Sequence, residues 1–361
     1  MSLKIALIVG TNLHWAPFYY RYERMLDEKR VPFDLIIWNR ENIKETNRAN
    51  KVIEYKNKDI PNNKNPKKAY KFLLFSHFVK TVIKKNNYDK LIFVGTYGCA
   101  IAFDCFFLSK YYQDKMWIDV RDDLYEWFSP FFKAEERSIN ASYATTISSP
   151  AFKRFLPEHN YYLMHNIDPN YLDLMKQYRK ITDSEGRIRI SFIGNVRYLD
   201  QNKILLKNLK NDKRFKVQYY GHNSEIVEDY CKQNGINNVE FYGNFPQSET
   251  INFYEKTDII NNAYGNDTLN LQVALSNKLY YGLMFHLPLL VSNNTLMDNL
   301  TSKYGIGFVL ENSEHFADNL FDWYQKSIHN PASFRFDDLW ERVQKEDNAS
   351  VMKFNDFIES E

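Results

Sequence analysis

Cysteine is scarce in this chain: Cys99, Cys105 and Cys231 are all it has. The count is odd, and no CxxC or Cys/His ligand spacing occurs. A disulfide framework and a structural zinc site are therefore excluded, and a reducing compartment is expected. The three thiols read as small buried hydrophobes. Glycine is also sparse, at 12 in 361 residues. Residues 8–14 follow a first apolar run as a dinucleotide fingerprint would, but contain one glycine where three are needed. The second apolar run closes on Trp38, Asn39 and Arg40, with no acidic residue for a ribose. That disfavours a dinucleotide oxidoreductase. GxxxxGK[ST], HExxH, HxH and GxSxG are absent as well. No hydrophobic run is long enough to cross a bilayer, since residues 279–291 are interrupted by His286 and Pro288. The apolar run at residues 3–9 is too short for a signal segment. The expected location is cytoplasmic, with a peripheral position at the inner face of the cell membrane as the alternative.

What is present suits two globular domains. The 361 residues are 44% apolar, 25% charged and 16% aromatic, enough for two buried cores. The net charge of +2 is unevenly spread: residues 1–180 carry 29 Lys and Arg against 20 Asp and Glu, so the remainder is acidic. A basic half suits nucleic acid, a membrane surface or a phosphorylated ligand.

Short apolar runs alternate with helix-length amphipathic segments. Six strands are predicted at residues 4–9, 33–38, 90–94, 116–120, 144–147 and 161–164. Six more are predicted at 189–193, 216–220, 239–242, 258–261, 289–292 and 307–310. Strands alternating with helices indicate βαβ units and parallel sheets. The polar, turn-forming stretch at 180–187 reads as the linker. The expected domains are residues 1–180 and 187–330, with a helical segment at 331–361. Its last amphipathic stretch, 348–358, needs a surface and is expected to pack back across the junction. Asn65 and Pro66 open a helix running to about Asn86. Its apolar side includes Phe72, Phe75, Val79, Val82 and Ile83, and Lys67, Lys68, Lys71, Lys80, Lys84 and Lys85 make it basic. It reads as a core-packing helix with a solvated face, or as a contact with an anionic membrane or a phosphate-bearing acceptor.

In the second half, Gly194, Gly221 and Gly243 each follow a predicted strand. Glycine there lets backbone approach a ligand at the carboxyl ends of the strands. Ser276, Asn277 and Lys278 open a helix, where the N-terminus and a lysine favour an anion. Residues 192–194, 220–221, 241–243, 257–259 and 276–288, in that order, resemble the donor domain of GT-B glycosyltransferases. The similarity is greatest to the bacterial group 1, family 4-like enzymes of capsular polysaccharide and lipopolysaccharide synthesis. Residues 117–122, 136–137, 146–149 and 165–168 resemble that group's acceptor domain. The resemblance covers about residues 3–325.

It implies an α/β GT-B fold, two Rossmann-like domains facing a cleft. It implies a nucleotide-sugar donor held by the second domain and a glycan or lipid-linked acceptor held by the first, with no cofactor and no metal. By position, Gly194 and Arg197 fall near the diphosphate, with Lys203 a further phosphate contact and Gly221 beside them. Tyr242, Gly243 and Phe245 would flank the base; Ser276, Asn277 and Lys278 would meet phosphate or ribose. His14, in the loop after the first strand, would be the base if the enzyme inverts, oriented by Asp119 or Asp122. The alternative for those aspartates is an internal ion-pair network with Arg121. In one respect the chain departs from the family. Retaining members often carry two glutamates, and Val273 and Tyr281 stand at those positions. Two other functions stay open on that account: a binding subunit that kept the fold and lost catalysis, and a nucleotide-sugar epimerase. A nucleic-acid role is disfavoured, because the lysines concentrate on one helix without RNA-binding motifs.

Overall fold

The computed structural model describes residues 3–58, 66–95, 104–168 and 170–360. Cys99 and Asn65 lie outside the described residues, as do the side chains of Lys67 and Lys68. The chain divides into two compact units, residues 1–169 with 345–361, and residues 170–344.

The first unit is built on a parallel sheet. Its strands are β1 Ile5–Val9, β2 Phe33–Asn39, β3 Lys51–Lys56, β4 Lys90–Val94, β5 Met116–Val120, β6 Ala144–Ile147 and β7 Tyr161–Leu163. They lie in the order β3-β2-β1-β4-β5-β6-β7. β1, β4 and β5 are buried along their whole length, which is why they read as mainly apolar runs rather than alternating ones. β3 was not predicted. Its sequence, KVIEYK, is half exposed at the sheet edge, and edge strands mask their apolar pattern with charge. Its helices include α1 Tyr19–Glu28, α2 Pro66–Asn86, α3 Cys105–Tyr111 and α4 Ser129–Asn140. Phe72, Phe75, Val79, Val82 and Ile83 of α2 are buried, as its apolar spacing required.

The second unit repeats the plan. Its strands are β8 Ile188–Ile193, β9 Phe215–Tyr220, β10 Val239–Tyr242, β11 Ile259–Asn262, β12 Leu289–Val291 and β13 Gly307–Val309. The parallel order is β10-β9-β8-β11-β12-β13. Among its helices are α5 Tyr171–Gln177, α6 Leu199–Asn208, α7 Ser224–Asn234, α8 Thr250–Glu255, α9 Leu269–Val273 and α10 Asn277–Phe285. Both sheets reverse their strand order once, at β1/β4 and at β8/β11. In open α/β sheets, ligands bind beyond the carboxyl ends of the strands at such points.

The chain ends in α11, Leu296–Lys303, α12, Phe316–His329, and α13, Phe336–Glu359. The last helix is 24 residues long and lies inside the helical segment expected at 331–361, and residues from 345 onward belong to the first unit. Its apolar stripe is broken by Asp347 and Ser350. Both are buried because both are paired. Asp347 takes a two-pronged ion pair from Arg21 and the backbone N–H of His165, and the Ser350 hydroxyl donates to the Leu163 carbonyl. Beyond them Phe354, Phe357 and Ile358 enter the core beside Trp117 and Tyr22, each contributing ~1.5–3 kcal/mol of burial. The Lys90 ammonium donates to the carbonyls of Phe357, Ile358 and Ser360, satisfying orphan carbonyls at the negative end of the helix.

Cys105 and Cys231 are free and buried. Burial pushes both thiols up, Cys231 to about 11, so they are inert. Among the described residues, no helix is long and apolar enough to cross a membrane.

Candidate functional site

The second unit's switch point lies between the loops after β8 and β11. The loop after β8 turns at Gly194, whose φ of 118° suits glycine alone. Its N–H donates to the Tyr220 carbonyl, and the Gly221 N–H donates to the Tyr242 carbonyl, each at 2.9 Å. A Cβ on Gly221 would lie 2.1 Å from the Gly194 carbonyl oxygen, so this close approach depends on both glycines. Gly243 is different: a Cβ there would meet nothing within 4 Å.

The same loop runs through Arg197 to Tyr198, which enters α6 with a left-handed φ of 61°. Buried Asn202 holds the turn, donating to the carbonyls of Arg197 and Tyr198 at 2.8 and 3.0 Å. Its oxygen accepts the Tyr219 hydroxyl at 2.9 Å. The Tyr198 ring stacks on Tyr264, in the loop after β11, at 4.6 Å. Arg197 is exposed and has no ion-pair partner among the described residues; its guanidinium lies 5.5 Å from the Tyr198 ring centre. Lys203, in α6, also lacks a carboxylate partner and lies over Tyr230 at 5.6 Å.

Ser276 caps α10, accepting the Lys278 N–H at 3.3 Å, and Asn277 beside it is exposed. Lys278 is only 7% exposed. Its ammonium donates to the Tyr264 hydroxyl at 2.6 Å and lies 4.3 Å from the Phe192 ring centre and 5.2 Å from that of Tyr264. Among the described residues no carboxylate neutralises it. A buried ammonium held only by a phenol and two ring faces is poorly compensated. Lys278, Tyr264, Tyr198 and Phe192 thus form one cluster at the switch point. Tyr198 was not singled out in the sequence, since an isolated loop tyrosine carries no motif.

At the ends of β9 and β10 lies an aromatic platform. Tyr242 is 42% exposed and stacks on Tyr220 at 4.7 Å. Behind them Phe253 meets Tyr220 at 4.2 Å and Phe245 at 4.5 Å. The Tyr242 hydroxyl donates to Glu240 at 2.8 Å. Burial, then the Glu240 carboxylate, pushes that phenol up to about 12, so it stays neutral. The two positions without glutamate are filled by packing: Val273 is fully buried, and Tyr281 stacks on Tyr254 at 4.6 Å.

In the first unit, the loop after β1 is held by Asn12, which is completely buried. Its amide donates to Asn39 and Glu45 at 3.0 and 2.7 Å. Its oxygen accepts the backbone N–H groups of Arg40 and Glu41 at 3.0 and 3.2 Å. This network brings the loops after β1 and β2 together. His14 Nε2 then lies 3.3 Å from Glu41 Oε1, and Trp15 Nε1 donates to the same oxygen at 2.7 Å.

The expected partner, Asp119, is engaged elsewhere. It is fully buried, 2.7 Å from Arg121 Nε and 2.8 Å from the Thr146 hydroxyl. Arg121 also donates to the Met164 carbonyl at 3.0 Å and to Asn166 at 2.6 Å. Burial works against that guanidinium's charge, but the Asp119 carboxylate beside it raises it above its ordinary value on balance. The pair is the internal network left open above. Asp122 is exposed in the loop after β5. Among the described residues, the carboxylate within ion-pair distance of His14 is that of Glu41. The sequence concealed this because Glu41 lies on a different strand's loop and in no motif.

No protein-family model matches this sequence, and no curated protein matches it either. Solved structures do. Sucrose-phosphate synthase from Thermosynechococcus elongatus is similar at a TM-score of 0.70 and 11% identity, over 99% of this chain and 98% of that one. Anabaena HepE in complex with UDP is similar at 0.65 and 10%, over 99% and 100%. A UDP-N-acetylglucosamine 2-epimerase from Listeria monocytogenes is similar at 0.56 and 13%, over 93% and 90%. At these identities the similarity is one of architecture, and with two wholly parallel sheets in hand it establishes that this chain has the GT-B fold.

Proposed function

We propose that the protein is a glycosyltransferase that moves a sugar from a nucleotide-sugar donor to a glycan or lipid-linked acceptor. The donor is assigned to the second unit and the acceptor to the first. The observation that carries this is Lys278, a buried cation without a carboxylate at the N-terminus of α10 and at the β8/β11 switch point. A nucleoside diphosphate supplies the missing negative charge. Arg197, also without an ion-pair partner, suits a diphosphate because its planar fork matches phosphate oxygens. Lys203 adds charge, and Gly194 and Gly221 keep the backbone low enough for close approach. Tyr242, backed by Tyr220 and Phe245, offers a face for the nucleobase. As the bond to the sugar breaks, charge builds on the leaving diphosphate, and fixed cations and the α10 N-terminus stabilise it.

A calorimetric titration with UDP tests the assignment. The full chain is expected to bind it, and Lys278→Met to lose binding while staying folded. UDP affinity unchanged in Lys278→Met removes the assignment.

A second reading, a binding subunit without turnover, is favoured by one observation: Val273 is buried and Tyr281 stacks on Tyr254, with no acid at either place. The epimerase alternative shares the fold. Incubation with a panel of nucleotide sugars separates them: sugar transfer or slow hydrolysis supports the transferase, an isomerised sugar the epimerase, and binding without turnover the subunit. A role in surface polysaccharide synthesis on the cytoplasmic face of the membrane belongs to the same proposal. Its support is α2, where Tyr70, Leu73 and Leu74 are exposed on a helix rich in lysine.

A further inference from the structure

Tyr264 stands in the loop after β11, and its two neighbours in sequence are both pinned. The Ala263 N–H donates to the Asn261 side chain at 3.1 Å, and the Gly265 N–H donates to the Ser292 hydroxyl at 2.7 Å. Ala263 and Gly265 are buried, and Tyr264 between them is half-buried. Its hydroxyl accepts one of the three ammonium protons of Lys278, at 2.6 Å. Among the described residues that ammonium meets no other acceptor; Phe192 offers it only a ring face, 4.3 Å away. Two N–H donors therefore remain, their directions set by the first. The Tyr264 hydroxyl also has a proton of its own, which no acceptor takes among the described residues. Phosphate oxygens accept from an ammonium and a phenol alike.

The ring of the same tyrosine reaches towards the other cation. It stacks on Tyr198 at 4.6 Å, with 26° between the ring planes. Tyr198 follows Arg197 and holds a left-handed φ of 61°, a conformation that persists in a tyrosine only where neighbours fix it. Asn202 fixes it from one side, through the carbonyls of both residues. Asn261 adds to this, its amide donating to the Asn202 oxygen at 3.3 Å. The loops after β8 and β11 are thus joined twice, once through buried amides and once through half-buried rings.

We propose that Tyr264 is the positioning residue of the diphosphate site. Its hydroxyl orients Lys278 and donates its own proton to a phosphate oxygen. Its ring, through Tyr198, fixes the loop that carries Arg197. This deepens the glycosyltransferase reading and rests on it. Two cations from different parts of the chain act on one ligand because one side chain holds both in place before the ligand arrives.

The test is calorimetric titration of the full chain with UDP, with a melting curve for each variant. Tyr264→Phe keeps the ring and removes the hydroxyl, so UDP affinity should fall about 10-fold with Tm unchanged. Tyr264→Leu also removes the stack and should cost a further 2- to 10-fold, roughly the worth of one aromatic pair. In the Arg197→Ala background that further loss should vanish, because the ring acts through Arg197, while the loss in Tyr264→Phe should persist. Tyr198→Phe keeps the stack and should bind UDP like wild type. Tyr198→Leu should repeat the loss due to the stack, which answers the same question if Tyr264→Leu does not fold. A merely structural tyrosine would lower Tm and show no such dependence on Arg197. A stacking loss of equal size with and without Arg197 therefore overturns the inference. Wild-type UDP affinity in Tyr264→Phe overturns it too and leaves the glycosyltransferase reading standing. If the wild type binds no UDP, that reading falls and the inference falls with it.

Discussion

Glu126 and Glu135 lie beneath the loop after β5, and each has a buried carboxyl oxygen without a hydrogen-bond partner. Glu126 keeps one bond, accepting the Leu124 N–H at 2.6 Å. Burial, helped by Asp123 and Asp122, raises its carboxyl from 4.5 to about 7. Burial, then the charge of Glu126, pushes Glu135 well above its ordinary value. The two titrate as a pair. Between pH 4.5 and 7 the folded chain therefore holds a proton that the unfolded chain has released. The stability due to that proton is fully present below pH 4.5 and is lost as pH rises through 7. For Glu126 alone the shift corresponds to about 3 kcal/mol. Glu126→Gln mimics the protonated acid, so it should match wild type at pH 5 and exceed it at pH 8. At roughly 2–4 °C per kcal/mol for a unit of this size, the gain in Tm should be about 6–12 °C. Glu135→Gln should act in the same direction. Thermal unfolding followed by fluorescence at both pH values decides it. A Gln variant no more stable than wild type at pH 8, or equally stabilised at both, refutes the reasoning.

Arg197→Ala should weaken UDP binding about 10- to 100-fold, the loss of charge-assisted hydrogen bonds, with Tm unchanged because the side chain is exposed; calorimetry and melting check both. Gly221→Ala should lower Tm sharply, since its Cβ would meet the Gly194 carbonyl at 2.1 Å, whereas Gly243→Ala should melt like wild type. Asp119→Asn breaks a buried ion pair and should cost about 3–5 kcal/mol in denaturant unfolding.

The fold was legible because the central strands are buried on both faces and so read as apolar runs. β3 was not, because an edge strand carries lysine and glutamate where a central one carries valine and isoleucine. The last helix lies inside the expected helical segment, but Asp347 and Ser350 look like surface residues until Arg21 and Leu163 are seen to hold them. At the site, Gly194, Gly221 and Lys278 stood out because turn chemistry and helix starts leave local marks. Glu41 and Tyr198 did not, since each meets a neighbour far along the chain. For Asp119 the sequence left two readings open, a partner for His14 or an ion pair with Arg121, and only the folded sheet adds Thr146.

The central claim is that the second unit receives a nucleoside diphosphate against Lys278. Titrating UDP into the full chain and into Lys278→Met, with melting curves for both, tests it most directly. The account predicts saturable binding to the wild type and loss of that binding in a variant that melts at the wild-type temperature or above. Equal binding to both chains, or no binding of UDP to the wild type, contradicts it.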